Sequence, residues 1–351
     1  MIPDCAHSSF FHFSLSLSLT HCLSLSFSLF RLILFPQPQP QPNPNPNPLA
    51  PSPFTYPHPT LVSSSLTLTL THILLSCQTL SRFQDAVAKS GNKPFLRVED
   101  VPSTLAKGDK PPASKSVEEW TTLTYAQTYD QCRSVAKGYM SLGLEKMDAV
   151  VVYGFNSPEW VMAELACILA GGIAAGIYPS DTAEQVTFKA LHSGAAIAVV
   201  QNKQKADMFL AAAKDLPKLR AIVVWDTSSG MPTSTKKVKV MNWQELVDLG
   251  SSSASGDASL DARMENQDPC ECCSYIYTSG TTGMPKAVMI SHDNILFESR
   301  LAFDLIPGMG TDPNFGERII SYLPLSHVAG MMVDIISPIT IAASKPGFAT
   351  L

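Results

Sequence analysis

Between Thr278 and Lys286 the chain places four hydroxyls, two glycines and an ammonium group: Thr278, Ser279, Gly280, Thr281, Thr282, Gly283 and Lys286. Hydroxyls and backbone N–H groups can surround the oxygens of a polyphosphate, and a lysine adds a compact positive charge. The glycines allow a bent backbone to approach a ligand closely. The spacing is not that of a P-loop, because Pro285 rather than glycine precedes Lys286 and an apolar strand rather than a helix follows. The same residue types also build ordinary Ser/Thr/Gly-rich hairpin loops with no ligand.

His327 is the second candidate. It follows Pro324-Leu325-Ser326 in a mainly apolar stretch, where a histidine can line a pocket or serve as a hydrogen-bonded structural group. Cys270, Cys272 and Cys273 form a PCECC cluster, but no second Cys/His pair at zinc spacing accompanies it. They read as reduced cysteines leading into a buried strand. His292 reads as a surface or helix-start residue and Trp160 as core packing.

These groups need elements to hold them. Residues 1–80 contain only Asp4 and Arg31 as charged residues, and they alternate Ser-Leu, Pro-Gln, Pro-Asn and Leu-Thr. A CT dinucleotide repeat encodes such Ser-Leu alternation, so this segment is expected to be a low-complexity extension or a mis-set gene start. Organelle targeting or a poor signal-anchor are the alternatives. Residues 81–351 are expected to form the folded part.

From Phe83 onward, short apolar strands alternate with capped helices. Strands are expected at 93–99, 120–125, 149–153, 173–177, 195–200, 221–225, 275–277, 287–290 and 318–323, with another opening at Phe348. Helices are expected at 83–90, 126–142, 158–170, from Thr182 to about His192, and at 203–214, 243–249, 291–306 and 328–337. Thr124-x-x-Gln127 and Thr182-x-x-Gln185 are capping boxes. Residues 226–268 are expected to be largely irregular around the one short helix. Continuous apolar strands alternating with helices indicate an α/β fold with a doubly wound, mostly parallel sheet. The net charge of −5 gives no basic excess for nucleic acid, and eight irregularly spaced cysteines do not form a secreted disulfide framework.

The string TSGTTGMPKAVMISHDN (278–294) resembles the phosphate-binding signature of the adenylate-forming superfamily, departing from it at Ala287, where glycine is usual. GFNSPEW (154–160), AGGIAAGIY (170–178), MNWQELVDLG (241–250) and YLPLSHVAGMMVDI (322–335) are similar to the bubblegum-type branch of long-chain fatty acyl-CoA synthetases. The resemblance implies the incomplete large N-terminal domain of such an enzyme, using ATP, Mg²⁺ and coenzyme A to convert a fatty acid to its acyl-CoA through an acyl-adenylate. Carried over by position, Thr278, Ser279, Gly280, Thr281, Thr282, Gly283 and Lys286 would hold the β- and γ-phosphates, and His327 would lie beside the acyl-adenylate. The family's adenine, ribose and C-terminal catalytic motifs are not found before Leu351, so the chain alone is expected to make no acyl-CoA. A cytoplasmic site, or peripheral association with an internal membrane such as the endoplasmic reticulum, goes with a lipid substrate. A non-catalytic nucleotide- or partner-binding piece, or a ligase for another carboxylic acid, are the competing readings.

Overall fold

The structure is a computed structural model that describes residues 79–99, 114–253, 256–278, 284–304, 308–314 and 316–351. All of them fall within one compact unit, Thr67–Leu351. The expected extension before residue 79 lies outside the described residues.

The described residues open with α1 (Thr79–Ser90), β1 (Pro94–Val98) and β2 (Thr121–Thr124), the two strands pairing antiparallel. Helix α2 (Tyr125–Ser141) starts at the expected capping box, in which Thr124 accepts from Gln127 N and Gln127 accepts from Thr124 N. Then the alternation sets in: β3 (Ala149–Tyr153), α3 (Pro158–Leu169), β4 (Ile173–Ile177), α4 (Ala183–Ser193), β5 (Ala195–Val200), α5 (Lys203–Ala211) and β6 (Ala221–Val224). Ser157 caps α3 ahead of Pro158, and Gly194 ends α4 in the left-handed conformation at φ 67°.

The sequence between β6 and the candidate loop is more ordered than expected. Lys239–Asn242 forms β7, Trp243–Ser251 forms α6 and Gly256–Glu265 forms α7. Strand β8 (Cys272–Thr278) and β9 (Lys286–Ser291) follow, then α8 (His292–Asp304) and β10 (Gly316–Arg318). The helical stretch expected at 328–337 extends to residue 344 as α9 (Val328–Gly330), a π-helical segment (Met331–Ile336) and α10 (Ser337–Ser344). The short strand β11 (Phe348–Thr350) pairs parallel with β10, and Leu351 exchanges backbone hydrogen bonds with Phe95 and Arg97 of β1.

Among the described residues seven strands form the central sheet in the order β7-β6-β5-β3-β4-β8-β9, all parallel except the antiparallel pair β8–β9. Its two faces are packed by different helices. Val150 and Val152 of β3 join a core with residues of α2, α3 and α6, while Val151 and Tyr153 join another with residues of α4 and α5. Burial on both sides explains why β3, β4, β5 and β6 are apolar throughout. Each fully buried Val or Ile in them stabilises the fold by about 1.5–3 kcal/mol before entropy is counted. This is the doubly wound sheet that the alternation predicts.

Candidate active site at the carboxyl edge of the sheet

In open doubly wound sheets, ligands bind beyond the carboxyl ends of the strands, where strand order reverses. Here β3 is flanked by β4 on one side and β5 on the other, so the reversal falls at its end. Strand β8 runs parallel to β4, with Ser274 opposite Ala174 and Tyr275 opposite Ala175. The candidate phosphate loop therefore leaves the sheet at the carboxyl edge.

The two ends of that loop are described. Thr278 closes β8, Lys286 opens β9, and the two are register partners across the antiparallel pair. Both are exposed. The hydroxyl of Thr278 reaches the Lys286 carbonyl at 3.5 Å, a weak contact that leaves it able to meet a ligand. Ser279, Gly280, Thr281, Thr282 and Gly283 lie outside the described residues.

Below the loop, β8 is tied to α4. Tyr277 Oη donates to the Lys189 carbonyl at 3.1 Å and lies 3.1 Å from His192 Nδ1. Burial pushes the Tyr277 hydroxyl up to about 12, so it stays protonated as a donor. Lys189, only 3 % exposed, forms an ion pair with Asp181, and its ammonium lies 5.1 Å from the Tyr178 ring centroid and 5.4 Å from that of Tyr277. Asp181 also accepts from the Tyr178 backbone N–H at 3.1 Å, fixing the turn that leaves β4.

His327 arrives at the same edge. Its ring meets Tyr178 edge-on at 6.5 Å between centroids. Gly176 of β4 makes this possible, because a Cβ there would sit 2.6 Å from Ser326 Cα. The turn into α9 closes with His327 N donating to Pro324 O at 2.9 Å, and the imidazole Nδ1 accepts the Ala329 N–H at 3.1 Å. An Nδ1 that accepts places the proton of the neutral ring on Nε2, making that nitrogen a donor toward a ligand.

Sequence reasoning missed Asn156. Its Nδ2 donates to Ser321 Oγ at 2.8 Å and to Leu323 O at 2.7 Å, while its Oδ1 accepts from Leu325 N at 3.3 Å. The strand expected at 318–323 ends instead at Arg318, since β11 offers only three partners. Beyond that point Asn156 satisfies the backbone that a sheet would have taken. The available signal was an Asn three residues beyond an apolar strand and directly ahead of the Ser157 cap.

The other sequence candidates divide. Cys272 and Cys273 are buried free thiols in β8, both raised by burial and Cys273 well above the usual thiol range, and Cys270 is an exposed free thiol. Trp160 is core. His292 does start α8 but is 2 % exposed, not on the surface, and burial depresses its imidazole to about 4. Among the described residues no three His, Cys, Asp or Glu side chains gather into a metal-holding group. In other nucleotide sites a Ser or Thr hydroxyl shares the magnesium that the phosphates carry, a role open to the exposed Thr278 hydroxyl. Among the same residues no helix is long and apolar enough to cross a membrane.

Comparison with known proteins finds relatives in sequence and in fold. The AMP-binding enzyme family matches residues 85–344. The long-chain-fatty-acid–CoA ligase ACSBG2 of Xenopus laevis is 40% identical over 223 residues, which are 64% of this chain and 29% of that protein. Its Gallus gallus counterpart is 39% identical over 260 residues, 74% of this chain and 31% of that one. The chain thus spans under a third of the length of these relatives. Among solved structures, the adenylation domain of a carboxylate reductase from Mycobacterium chelonae superposes with a TM-score of 0.57 at 15% identity, over 80% of this chain and 44% of that one. That likeness is one of fold. With three quarters of its length matched and the bubblegum-type relatives that its motifs suggested, the chain belongs to the family of AMP-binding enzymes.

Proposed function

We propose that this chain forms the nucleotide-phosphate side of an ATP-dependent ligase that activates long-chain fatty acids as acyl-adenylates for transfer to coenzyme A. The observation that carries the reading is the TSGTTGMPK string, with its two ends, Thr278 and Lys286, exposed and paired at the carboxyl edge of the sheet. Identity of 40% to a long-chain-fatty-acid–CoA ligase supports the choice of substrate class.

A carboxylate is already a nucleophile, so attack on the α-phosphorus needs no base from the protein. What the protein must supply is alignment and charge neutralisation. In this reading the hydroxyls of Thr278, Ser279, Thr281 and Thr282, and the backbone at Gly280 and Gly283, hold the β- and γ-phosphates. Lys286 balances their charge as pyrophosphate departs. His327 lines the adenylate pocket and donates from Nε2. Thr278 would help hold magnesium bound with the nucleotide, and that ion would supply further neutralisation of phosphate charge. A peripheral place on an internal membrane such as the endoplasmic reticulum would suit the substrate.

The test is ATP- and CoA-dependent conversion of radiolabelled palmitate, run on residues 1–351 and on the longest open reading frame containing them. Thioester from the longer protein, with adenylation slowed by Lys286→Ala, is the expected result. No thioester from palmitate or any other fatty acid with the longer protein would remove the fatty-acid assignment.

A further inference from the structure

Asp334 is unusual in its setting. It is 2 % exposed in an otherwise apolar run, MMVDII, and that run is the π-helical segment. A π turn is rare and often marks a functional position, because it shifts the side chains that follow out of α register. A buried carboxylate is costly unless it is hydrogen-bonded. Its partner is Ser321, whose Oγ donates to Asp334 Oδ2 at 2.8 Å. The same Oγ accepts from Asn156 Nδ2 at 2.8 Å. A directed chain therefore runs from the end of β3, through the start of the Ser321–His327 segment, to the helix that follows it.

The amide of Asn156 is used at both ends. Donation to the carbonyl of Leu323 and acceptance from Leu325 N leave no freedom to flip it. Close packing completes the clamp: a Cβ on Gly330 would lie 2.3 Å from Pro324 O. His327 is thus carried on a segment fixed to β3 at one side, to β4 below and to the π segment behind.

We infer that Asn156 and Asp334 are positioning residues for His327: acting through Ser321, they hold the imidazole with Nδ1 turned to its own helix and Nε2 toward the pocket. The inference rests on the reading of His327 as an adenylate-pocket group, but its test does not require turnover. Neither residue touches the reacting atoms in this account.

The experiment labels the histidines of the full chain with ¹⁵N and reads the ring tautomer of His327, identified by its loss in His327→Gln. The wild-type ring is expected in the Nε2–H form. Ser321→Ala, Asn156→Ala and Asp334→Ala should each shift the tautomer ratio toward Nδ1–H by about fivefold, the effect of loosening one ordinary hydrogen bond. Asp334→Asn keeps an acceptor for Ser321 and should stay near wild type, so it and Ser321→Ala decide the matter if Asp334→Ala fails to fold. Tyr139→Phe, which removes a 3.4 Å bond to Ala163 O in the core, is the control for general loosening and should change nothing at His327. An unchanged ratio in folded Ser321→Ala and Asn156→Ala, or an equal shift in Tyr139→Phe, would overturn the inference. Absence of acyl-adenylate formation would remove the functional reading and leave this readout standing.

Discussion

Glu164 on α3 is buried in the core between the sheet and its helices, 2 % exposed, with Oε2 lacking a hydrogen-bond partner. Burial raises its carboxyl from 4.5 to about 8, so the folded protein holds a proton there at neutral pH. Below about pH 4.5 folded and unfolded chains both keep that proton, and Glu164 makes no pH-dependent contribution. Between 4.5 and 8 the unfolded chain has released it and the folded one has not. Stability therefore falls as pH rises across that window, by about 1.4 kcal/mol per pH unit and by at most about 5 kcal/mol in all, levelling above 8. Asp334, raised to about 6 by burial, adds a loss of the same sign between 3.8 and about 6. His292, depressed to about 4, acts oppositely between 6.5 and 4. Subtracting the curve of Glu164→Gln from that of the wild type isolates the first contribution, because the other two cancel. The assay is urea unfolding of the full chain from pH 5 to 8.5, followed by tryptophan fluorescence. The variant should gain stability relative to wild type by several kcal/mol from the acid to the alkaline end, whatever constant offset its amide brings. Parallel curves would show that Glu164 is solvated or partnered, and would refute the reasoning.

Two glycines give steric predictions. In Gly250→Ala the new Cβ would lie 1.7 Å from Ser134 O, so α2 and α6 must separate. The expected cost is about 3 kcal/mol, read as a fall in Tm of about 6–12 °C by calorimetry; an unchanged Tm would contradict the α2–α6 approach. Gly176→Ala should push Ser326 off β4 at a cost of about 1–3 kcal/mol. Hydrogen exchange should then quicken at residues 321–327 and not in α5, and uniform quickening would count against a local role.

Much of this architecture is legible in the sequence because its signals are local. The two capping boxes and the apolar strands β3 to β6 need no tertiary knowledge, and they form as expected. What escaped is held by distant partners. Strand β7 is an edge strand reached through Lys236 and Lys237, residues that suit an exposed sheet border and mask its pattern. Helix α7 has little amphipathic character; Arg133 bridges to its Asp257 and Asp261, and its Arg263 bonds Leu144 O and Ala170 O. At the site, Thr278, Lys286 and His327 are marked by motif, and the structure brings Thr278 and Lys286 together and seats His327 against Tyr178. Asn156 and Asp334 fall inside the quoted strings GFNSPEW and YLPLSHVAGMMVDI, but nothing there shows their roles, because an amide that replaces a strand and an acid on a π turn leave no periodic trace.

The central claim is that the loop bounded by Thr278 and Lys286 binds the phosphates of ATP. The most direct measurement is calorimetric titration of the longest open reading frame containing residues 1–351 with Mg-ATP, wild type against Lys286→Ala. Loss of one charge-assisted contact of about 1.5–3 kcal/mol predicts affinity weaker by about 10- to 100-fold in the variant, with AMP binding little changed. Equal affinity of the two proteins for ATP, or no binding of ATP by the wild type, would contradict it.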